Sequence, residues 1–569
     1  MKHSKKTVIP IYTVLILSMT NSTLQMKKSF LIICLTIISI TISAQTRQDT
    51  IGRIEQIFSR CKAENPGCQL SISQNGQLFF SKAWGLADLE RNVALTTNSI
   101  IEAGSVSKQF TAAAILLLAQ QQKLSLNDDV RKYIPELPDY GKTIRIKHLI
   151  HHTSGLKDWG EIAKIAGYPR TTKTYNNADA LNIVCQQNNL NNNPGDEMLY
   201  SNSNYNLLAI IVERVSGLSL SNFTSKYIFV PANMKNTSWR DNYKRIVPNR
   251  ALAYKIRDNN YETSMPNENV YGNGGLLTTS EDLIKWNEFY LKGKFGGLSL
   301  LDEQITPDTL NNGEINYYAA GLFVQDCNGL HCIRHDGATA GYRCCLVQYP
   351  QINLSISFLS NTAEFGPKAV VKEIEDIFIT NSKKQNSNNE RKQILADNYD
   401  CFTGWYKNEK SGDGMFFQGT KNELNVFGDT PLTQINNNEF IAGDIIYSFQ
   451  DSIFLKVITP NNFNAGTTDT FNYFKVPTKS IDSNIHQYIG DYYSKNAQAS
   501  YSILLNDSNK LMLIQKPNQF LKLIPTYTDG YYIEGIDDIL YFTRNKNNEI
   551  EKMFISAQRA RNIEFIKIK

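Results

Sequence analysis

The chain has 569 residues, of which 41% are hydrophobic, 11% aromatic and 20% charged. These are the proportions of a multidomain globular protein, not of a disordered tail or a multi-span membrane protein. The formal net charge of +5 arises in the leader: residues 1–44 carry Lys2, Lys5, Lys6, Lys27 and Lys28 and no acid, and without them 54 basic side chains face 54 acidic ones. A balanced mature chain has no electrostatic footprint for nucleic acid, so that class of partner is not expected.

Met26-Lys27-Lys28, the apolar run Ser29 to Ile42 and the small-residue site Ser43-Ala44-Gln45 read as the three regions of a signal peptide spanning residues 1–44, with Met26 an alternative start. The sequence therefore predicts export to the periplasm or the extracellular space. The run is short for a bilayer span, and no later segment reaches the ~20 apolar residues a spanning helix needs, so no membrane span is expected in the mature chain. Cys34 follows Ile33 rather than a small residue, which argues against lipid attachment. Eight of nine cysteines survive cleavage, and even parity in an exported chain permits disulfides. Cys327 and Cys332, flanking the turn signal Asn328-Gly329, and Cys61 with Cys68 are the candidate pairs, with buried thiols as the alternative.

Gln69 to Ser73 and Gln77 to Phe80 read as strands joined through a primed turn at Asn75-Gly76. Ser105 to Gln122 is apolar nearly all round and predicts a helix buried in the middle of a domain. Further helices are expected at Asn204 to Val215, stopped by Gly217, and at Glu281 to Leu291, where Thr279 and Asp282 have capping-box spacing. Strands return at Gly321 to Gln325, Cys332 to Arg334, Tyr342 to Gln348 and Leu354 to Leu359. Strands at both ends with helices between imply an α+β domain whose sheet is closed by distant parts of the chain.

Residues 381–393 are polar, Asn-rich and aperiodic, the pattern of a linker. Beyond them the chain repeats weakly. Phe402 to Tyr406 aligns with Tyr488 to Tyr492, Leu424 to Val426 with Leu511 to Leu513, and Phe440 to Gly443 with Tyr532 to Gly535. Short aromatic-rich alternating runs broken by Asn, Asp and Gly predict two small all-β, barrel-like modules, 394–478 and 479–569, each about the size of an independent domain. One larger β domain is the alternative.

Ser-x-x-Lys on a helix sets a hydroxyl and an amine on one face, where the amine lowers the cost of deprotonating the serine. Three matches occur: Ser59 with Lys62, Ser105 with Lys108, and Ser154 with Lys157. Only Ser105 opens a buried helix, whose orphan N–H groups favour an attacking oxygen and the oxyanion it produces. Tyr-x-Asn can supply a base when the phenol lies near a cation. Among Tyr175, Tyr200, Tyr271 and Tyr406, Tyr200 alone follows a Pro-Gly turn and leads into an apolar helix, carrying Asn202 with it. A strand-borne donor followed by glycine is the third element, and His335-Asp336-Gly337 fits, with the N–H of Ala338 able to complete an oxyanion hole with that of Ser105. His148 and His152, four apart, lack the glutamate and third ligand of a zinc site, and no metal or other cofactor is expected.

Taken together, Ser105-Val106-Ser107-Lys108, Tyr200-Ser201-Asn202 and His335-Asp336-Gly337 resemble the three motifs of serine hydrolases related to class C β-lactamases and penicillin-binding proteins. Leu124 to Asp129, Ile146 to Leu156 and Gly272 to Leu276 resemble supporting segments of the same family. The resemblance covers about residues 50 to 380, within a domain expected over residues 46–380. It implies a β-lactamase/transpeptidase-like domain, an antiparallel sheet flanked by helices with a helical subdomain, and acyl transfer to Ser105 from a small-molecule or peptide substrate. Lys108 and Tyr200 would move the proton as a coupled pair, Asn202 would orient the substrate, and His335 and Gly337 would line the strand beside it. The sequence departs from the family at the third motif, where Lys-Thr-Gly becomes His335-Asp336-Gly337. A histidine of ordinary pKa is mostly neutral at pH 7 and clamps a carboxylate poorly. That favours D-aminopeptidase-type, amidase or esterase activity over β-lactamase or carboxypeptidase activity. A non-catalytic envelope sensor on the same fold is the reading from another class. Nothing in the sequence decides the oligomeric state.

Overall fold

The computed structural model describes residues 47–170, 172–327, 329–379, 399–420, 423–428, 430–460, 468–477, 485–515, 519–536 and 538–568. The expected leader and the 381–393 linker lie outside these residues. Two compact units are present. Among the described residues the smaller holds 47–61 with 372–379; its helix 47–57 runs into the 3-10 turn Phe58–Arg60, and Arg60 pairs with Glu373 at 2.8 Å. The larger holds the described residues of 62–371 and those from 399 onward.

In the larger unit six antiparallel strands form the main sheet: β1 (Cys68–Gln74), β2 (Gln77–Trp84), β3 (Phe323–Cys327), β4 (Leu330–Thr339), β5 (Tyr342–Tyr349) and β6 (Leu354–Ser360), ordered β3-β4-β5-β6-β1-β2. Asn75 and Gly76 both take positive φ, 53° and 76°, the primed turn expected between β1 and β2. β1 pairs with β6 from Cys68 opposite Ser360 to Gln74 opposite Leu354, so strands far apart in sequence close the sheet. β1 is buried along nearly its whole length, and its polar side chains are bonded: Gln69 donates to the carbonyls of Thr96 and Ser99, and Ser73 to Glu288 at 2.6 Å.

The cysteine expectation at the β3–β4 hairpin changes. The register sets Cys327 opposite Leu330 and Cys332 opposite Gln325, so the two cysteines are diagonal neighbours rather than a facing pair. The strands pair up to the residues flanking the turn, and the longer reach from Cys332 to Cys327 crosses two register steps.

Beside the sheet lies a helical layer containing α1 (Lys108–Gln120), α2 (Trp159–Ile165), α3 (Asn202–Ser216) and α4 (Ser280–Leu291), in which α4 packs on β1 and β6 and α1 packs on α3. α1 is buried almost all round, as its composition predicts, but it begins three residues later than expected. Gly104–Ser107 form a 3-10 turn instead, held by the Ser107 hydroxyl, which donates to the Gly104 carbonyl at 2.6 Å and accepts from the Leu276 N–H at 3.1 Å. α3 ends at Gly217 in the left-handed conformation (φ 72°), and α4 is capped by the Thr279 hydroxyl, which accepts from the Asp282 N–H.

The two repeats begin alike and finish differently. In each a 3-10 turn, Asp400–Phe402 or Ile485–Tyr488, leads to a strand, Gly404–Asn408 or Gly490–Ser494, and the aligned glycines share an unusual φ of 136° and 147°. Aligned aromatics Phe402 and Tyr488, and Tyr406 and Tyr492, are all buried. The first repeat makes a nine-stranded sheet whose edge strands, Thr430–Pro431 and Thr433–Asn436, are separated in sequence by Leu432 alone. The second closes into an eight-stranded barrel that ends in β7 (Ile550–Ala557) and β8 (Ala560–Lys567). Ile162 and Ile165 of α2 belong to the barrel's own hydrophobic core, so the barrel is stoppered by a helix of the α+β portion. Gln515 secures the joint by donating to the carbonyls of Lys164 (2.9 Å) and Ile165 (3.1 Å), and Lys164 pairs with Asp538 at 2.9 Å.

Candidate active site

Two glycines set the geometry. Gly104 takes φ 53°, and a Cβ there would lie 2.7 Å from the Ala338 nitrogen; a Cβ on Gly337 would lie 2.0 Å from the Ala103 carbonyl oxygen. The 3-10 turn bearing Ser105 and strand β4 therefore interlock backbone to backbone. The sequence assigns Gly337 to substrate access; in the structure it first permits this contact, which carries the N–H groups of Ser105 and Ala338 to the same lip.

Ser105, Tyr200, Asn202, His335, Gly337 and Ala338 all line one cavity of about 370 Å³, and Lys108 lies immediately beneath it. All seven residues singled out in the sequence are thus brought together. The Lys108 amine is completely buried and has three oxygens around it: Asn273 carbonyl at 2.6 Å, Asn202 Oδ1 at 2.9 Å and Ser105 Oγ at 3.2 Å. It also sits 4.7 Å from the centre of the Tyr200 ring. Burial, reinforced by the charge of Arg559, pushes the Lys108 pKa well below that of an ordinary lysine. Burial raises the Tyr200 phenol above its usual range, although a hydrogen bond with Ser105 and the charge of Arg559 both pull the other way.

His335 is buried among aromatic rings: Tyr318 at 5.8 Å, Phe323 at 5.3 Å and Tyr200 at 6.3 Å between centroids. Its Nδ1 lies 2.6 Å from the Asp336 carbonyl, to which it donates, leaving Nε2 to accept from the Tyr318 hydroxyl at 3.2 Å. Burial and then the nearby Lys108 hold its pKa down to about 4, so the ring is neutral at pH 7 for a stronger reason than its ordinary pKa. Asp336 pairs with Arg334 at 3.0 Å, which outweighs the burial acting on its carboxylate and holds the pKa low.

Several side chains that the motif reading does not single out complete the site. His152 lies 4.2 Å from Tyr200 with the ring planes tilted by 36°, and its Nδ1 accepts from the Ser201 N–H at 3.2 Å and from the Asn204 amide at 3.0 Å. Burial pushes its pKa far down. The other two histidines of that stretch are also held by single bonds: Nδ1 of His148 accepts from the Arg145 N–H, and Nδ1 of His151 lies 3.0 Å from the Tyr318 carbonyl. Asp158 accepts from the Asn202 N–H at 2.7 Å and so fixes the head of α3. Asn273, in a Tyr-x-Asn match set aside in the sequence, gives its carbonyl to Lys108 and its side-chain oxygen to Asn206. Arg559, from the turn between β7 and β8, enters the cavity with its guanidinium carbon 5.2 Å from the centre of the Tyr200 ring. No motif announces it.

A six-stranded antiparallel sheet against a helical layer, with Ser-x-x-Lys at their junction and Tyr-x-Asn and His-x-Gly converging on it, defines a β-lactamase/transpeptidase-like fold. The chain belongs to the β-lactamase family, whose model, described as Beta-lactamase, matches residues 54–378. It is 30% identical over 341 residues to protein flp of Staphylococcus aureus (strain MW2), covering 58% of this chain and 66% of that protein, so it spans just under two thirds of that relative's length. It is 28% identical over 352 residues to a penicillin-binding protein of Bacillus subtilis (strain 168), covering 58% of this chain and 75% of the relative. The octameric penicillin-binding protein homologue from Pyrococcus abyssi superposes with a TM-score of 0.51 at 19% identity over 84% of this chain and 99% of that one, a likeness of fold that covers more of the chain than the family model does. Among the described residues no single helix is long and apolar enough to cross a membrane.

Proposed function

We propose that the protein is an exported serine hydrolase that cleaves an ester or amide, with D-amino-acid peptides, amides and small esters as its substrates, through an acyl-enzyme on Ser105. One observation carries the reading: a fully buried amine with its pKa driven down lies 3.2 Å from a hydroxyl at the lip of the cavity. A neutral amine has two N–H groups and one lone pair. The two shortest contacts, to Asn273 and Asn202, take the N–H groups, which leaves the lone pair facing Ser105. Lys108 then accepts the Ser105 proton as Oγ attacks the carbonyl carbon. The oxyanion is received by the N–H groups of Ser105 and Ala338, and the Tyr200 phenol, kept protonated by burial, relays the proton to the leaving group. Attack of water on the acyl ester by the reverse proton path restores Ser105. His335, neutral and committed to Tyr318 and its own backbone, shapes the strand side of the cleft without charging it. Export rests on the leader's basic, apolar and small-residue regions.

The test uses the mature protein against p-nitrophenyl esters, paired D- and L-amino-acid p-nitroanilides and a fluorescent penicillin, beside Ser105→Ala and Lys108→Ala. Turnover lost in both variants, by about 10³-fold or more in kcat, supports the mechanism. The acid limb of wild-type kcat/KM should have its midpoint well below the ~10.5 of an ordinary lysine, with activity falling as pH drops through it. A limb at ordinary lysine pH removes Lys108 as the base. Equal rates on D and L anilides, or strong penicillin hydrolysis, would remove the substrate assignment, and a single labelling event without turnover would point to a sensor.

A further inference from the structure

Building on the hydrolase reading, we propose that Arg559 is the anion clamp of the cleft and that the substrate carries a carboxylate close to the scissile bond. The charge that the third motif lacks, with His335 in place of lysine, is supplied from the barrel.

Placement, anchoring and charge support this assignment independently. Arg559 lines the same cavity as Ser105, half-exposed, with its guanidinium on the Tyr200 ring. The turn that carries it is tied down. The Arg559 carbonyl accepts from the Asp158 N–H and from the Asn191 amide, both at 3.0 Å, and the Arg561 N–H donates to Asn191 Oδ1 at 2.8 Å. Lys157 donates to the Arg561 carbonyl, and the Arg561 guanidinium pairs with Glu197 at 2.8 Å. Asp158 serves both sides, because the same residue fixes Asn202. A guanidinium delivered by such a turn loses little further freedom on meeting a ligand.

Among the described residues no ion pair neutralises this charge. Five basic side chains line the cavity, Arg170, Arg334, Arg343, Lys368 and Arg559, against one acid, Asp336. Arg170 is paired with Glu268 and Arg334 with Asp336, and Arg343 donates to the carbonyls of Ala340 and Tyr342. Among the described residues no carboxylate lies within ion-pair distance of Arg559. Its planar fork, resting on an aromatic face and open to the cavity, matches the two oxygens of a carboxylate. The expectation that anionic substrates are disfavoured therefore applies to His335 alone and not to the cleft.

Two matched ester pairs test the clamp. Meta-carboxyphenyl phenylacetate and its methyl ester place the charge on the leaving side; mono-4-nitrophenyl terephthalate and its methyl ester place it on the acyl side. The wild-type protein should prefer the charged member of one pair, chiefly through KM, and the pair that responds reports which side Arg559 addresses. Arg559→Gln should lower that charged-to-uncharged ratio of kcat/KM about tenfold or more, with Arg559→Lys keeping part of it. A ratio at or below one in both pairs overturns the proposal. So does a variant that slows both members equally, since that assigns Arg559 to positioning Tyr200. If the wild-type protein turns over none of the four esters, binding decides the clamp, and the hydrolase reading is decided separately by the p-nitrophenyl ester, anilide and penicillin panel. Hippurate binding tighter than hippuramide in the wild type, with the difference lost in Arg559→Gln, upholds it, and equal binding of the two overturns it.

Discussion

The cleft has two walls with different origins. One is the interlocked pair of Ser105's 3-10 turn and strand β4, joined where two glycines let backbone touch backbone. The other is the turn around Arg559, delivered by a barrel that grips α2 through Ile162 and Ile165. In the proposed mechanism the first wall holds the groups that would move protons and receive an oxyanion. The second brings a positive charge, which lies against the Tyr200 ring and also lowers the Lys108 pKa. On that proposal the reacting groups are built into the domain's own core, whereas the added charge is imported by an element docked onto it.

The comparison breaks most severely at Gly337→Ala. The added Cβ would overlap the Ala103 carbonyl, and one wall must retreat from the other. Activity on every ester should fall by about 10²-fold or more, charged or not, as expected when oxyanion donors are displaced. Unchanged kcat would show that the two N–H groups do not act together.

Ile162→Ala combined with Ile165→Ala attacks the second wall instead. Each truncation of a buried isoleucine should cost about 2–5 kcal/mol, read as a lower unfolding midpoint in denaturant. The charged-to-uncharged ratio should fall toward that of Arg559→Gln while hydrolysis of neutral esters persists. Loss of both activities together would mean the barrel also props up Ser105.

A titration of stability separates the walls by pH. His335 titrates near 6.5 in the unfolded chain and at about 4 in the folded one. Between those values the unfolded chain binds a proton that the folded chain refuses, so stability is full above pH 6.5 and declines as pH falls toward 4. His148, also held down to about 4, contributes in the same window. His335→Gln should reduce the slope by up to one proton, and an identical slope would place the titration elsewhere. Glu197→Gln should have the smallest effect on activity. It removes the charge that faces buried Arg561 and exposed Lys410, each at 2.8 Å, and should cost about 1–3 kcal/mol of stability while loosening the turn enough to lower the ratio a few-fold.

The first wall was legible in the sequence because its chemistry needs particular residue types at short, fixed spacings. Ser105 and Lys108 share one turn, Tyr200 and Asn202 open one helix, and His335 and Gly337 share one strand. The sheet was legible for a related reason: Asn75-Gly76 fixes a turn type, and alternation fixes a face. The start of α1 was not, because the tie between Ser107 and the Leu276 N–H is a tertiary contact that overrides the helical composition of Gly104–Ser107. Asp158 and His152 act through backbone groups of a distant segment, which no local pattern encodes. Arg559 is the extreme case, since its meaning depends on Ile162 and Ile165 filling the end of a barrel. The matching glycines Gly404 and Gly490 begin the two copies in the same backbone conformation, whereas the aligned segments at Phe440 and Tyr532 sit at different positions of their strands. Composition alone could not reveal that only the second copy closes its ladder of strands.

The buried bond from Lys157 to the Arg561 carbonyl ties the order of synthesis to the completion of the cleft. The ribosome makes Ser105, Tyr200 and His335 well before the hairpin that caps them. A nascent chain would hold Ser105 early and acquire the hairpin that carries Arg559 late. Until that hairpin seats, Lys157 stays an amine without its carbonyl, and the half-assembled cleft lacks the charge of Arg559.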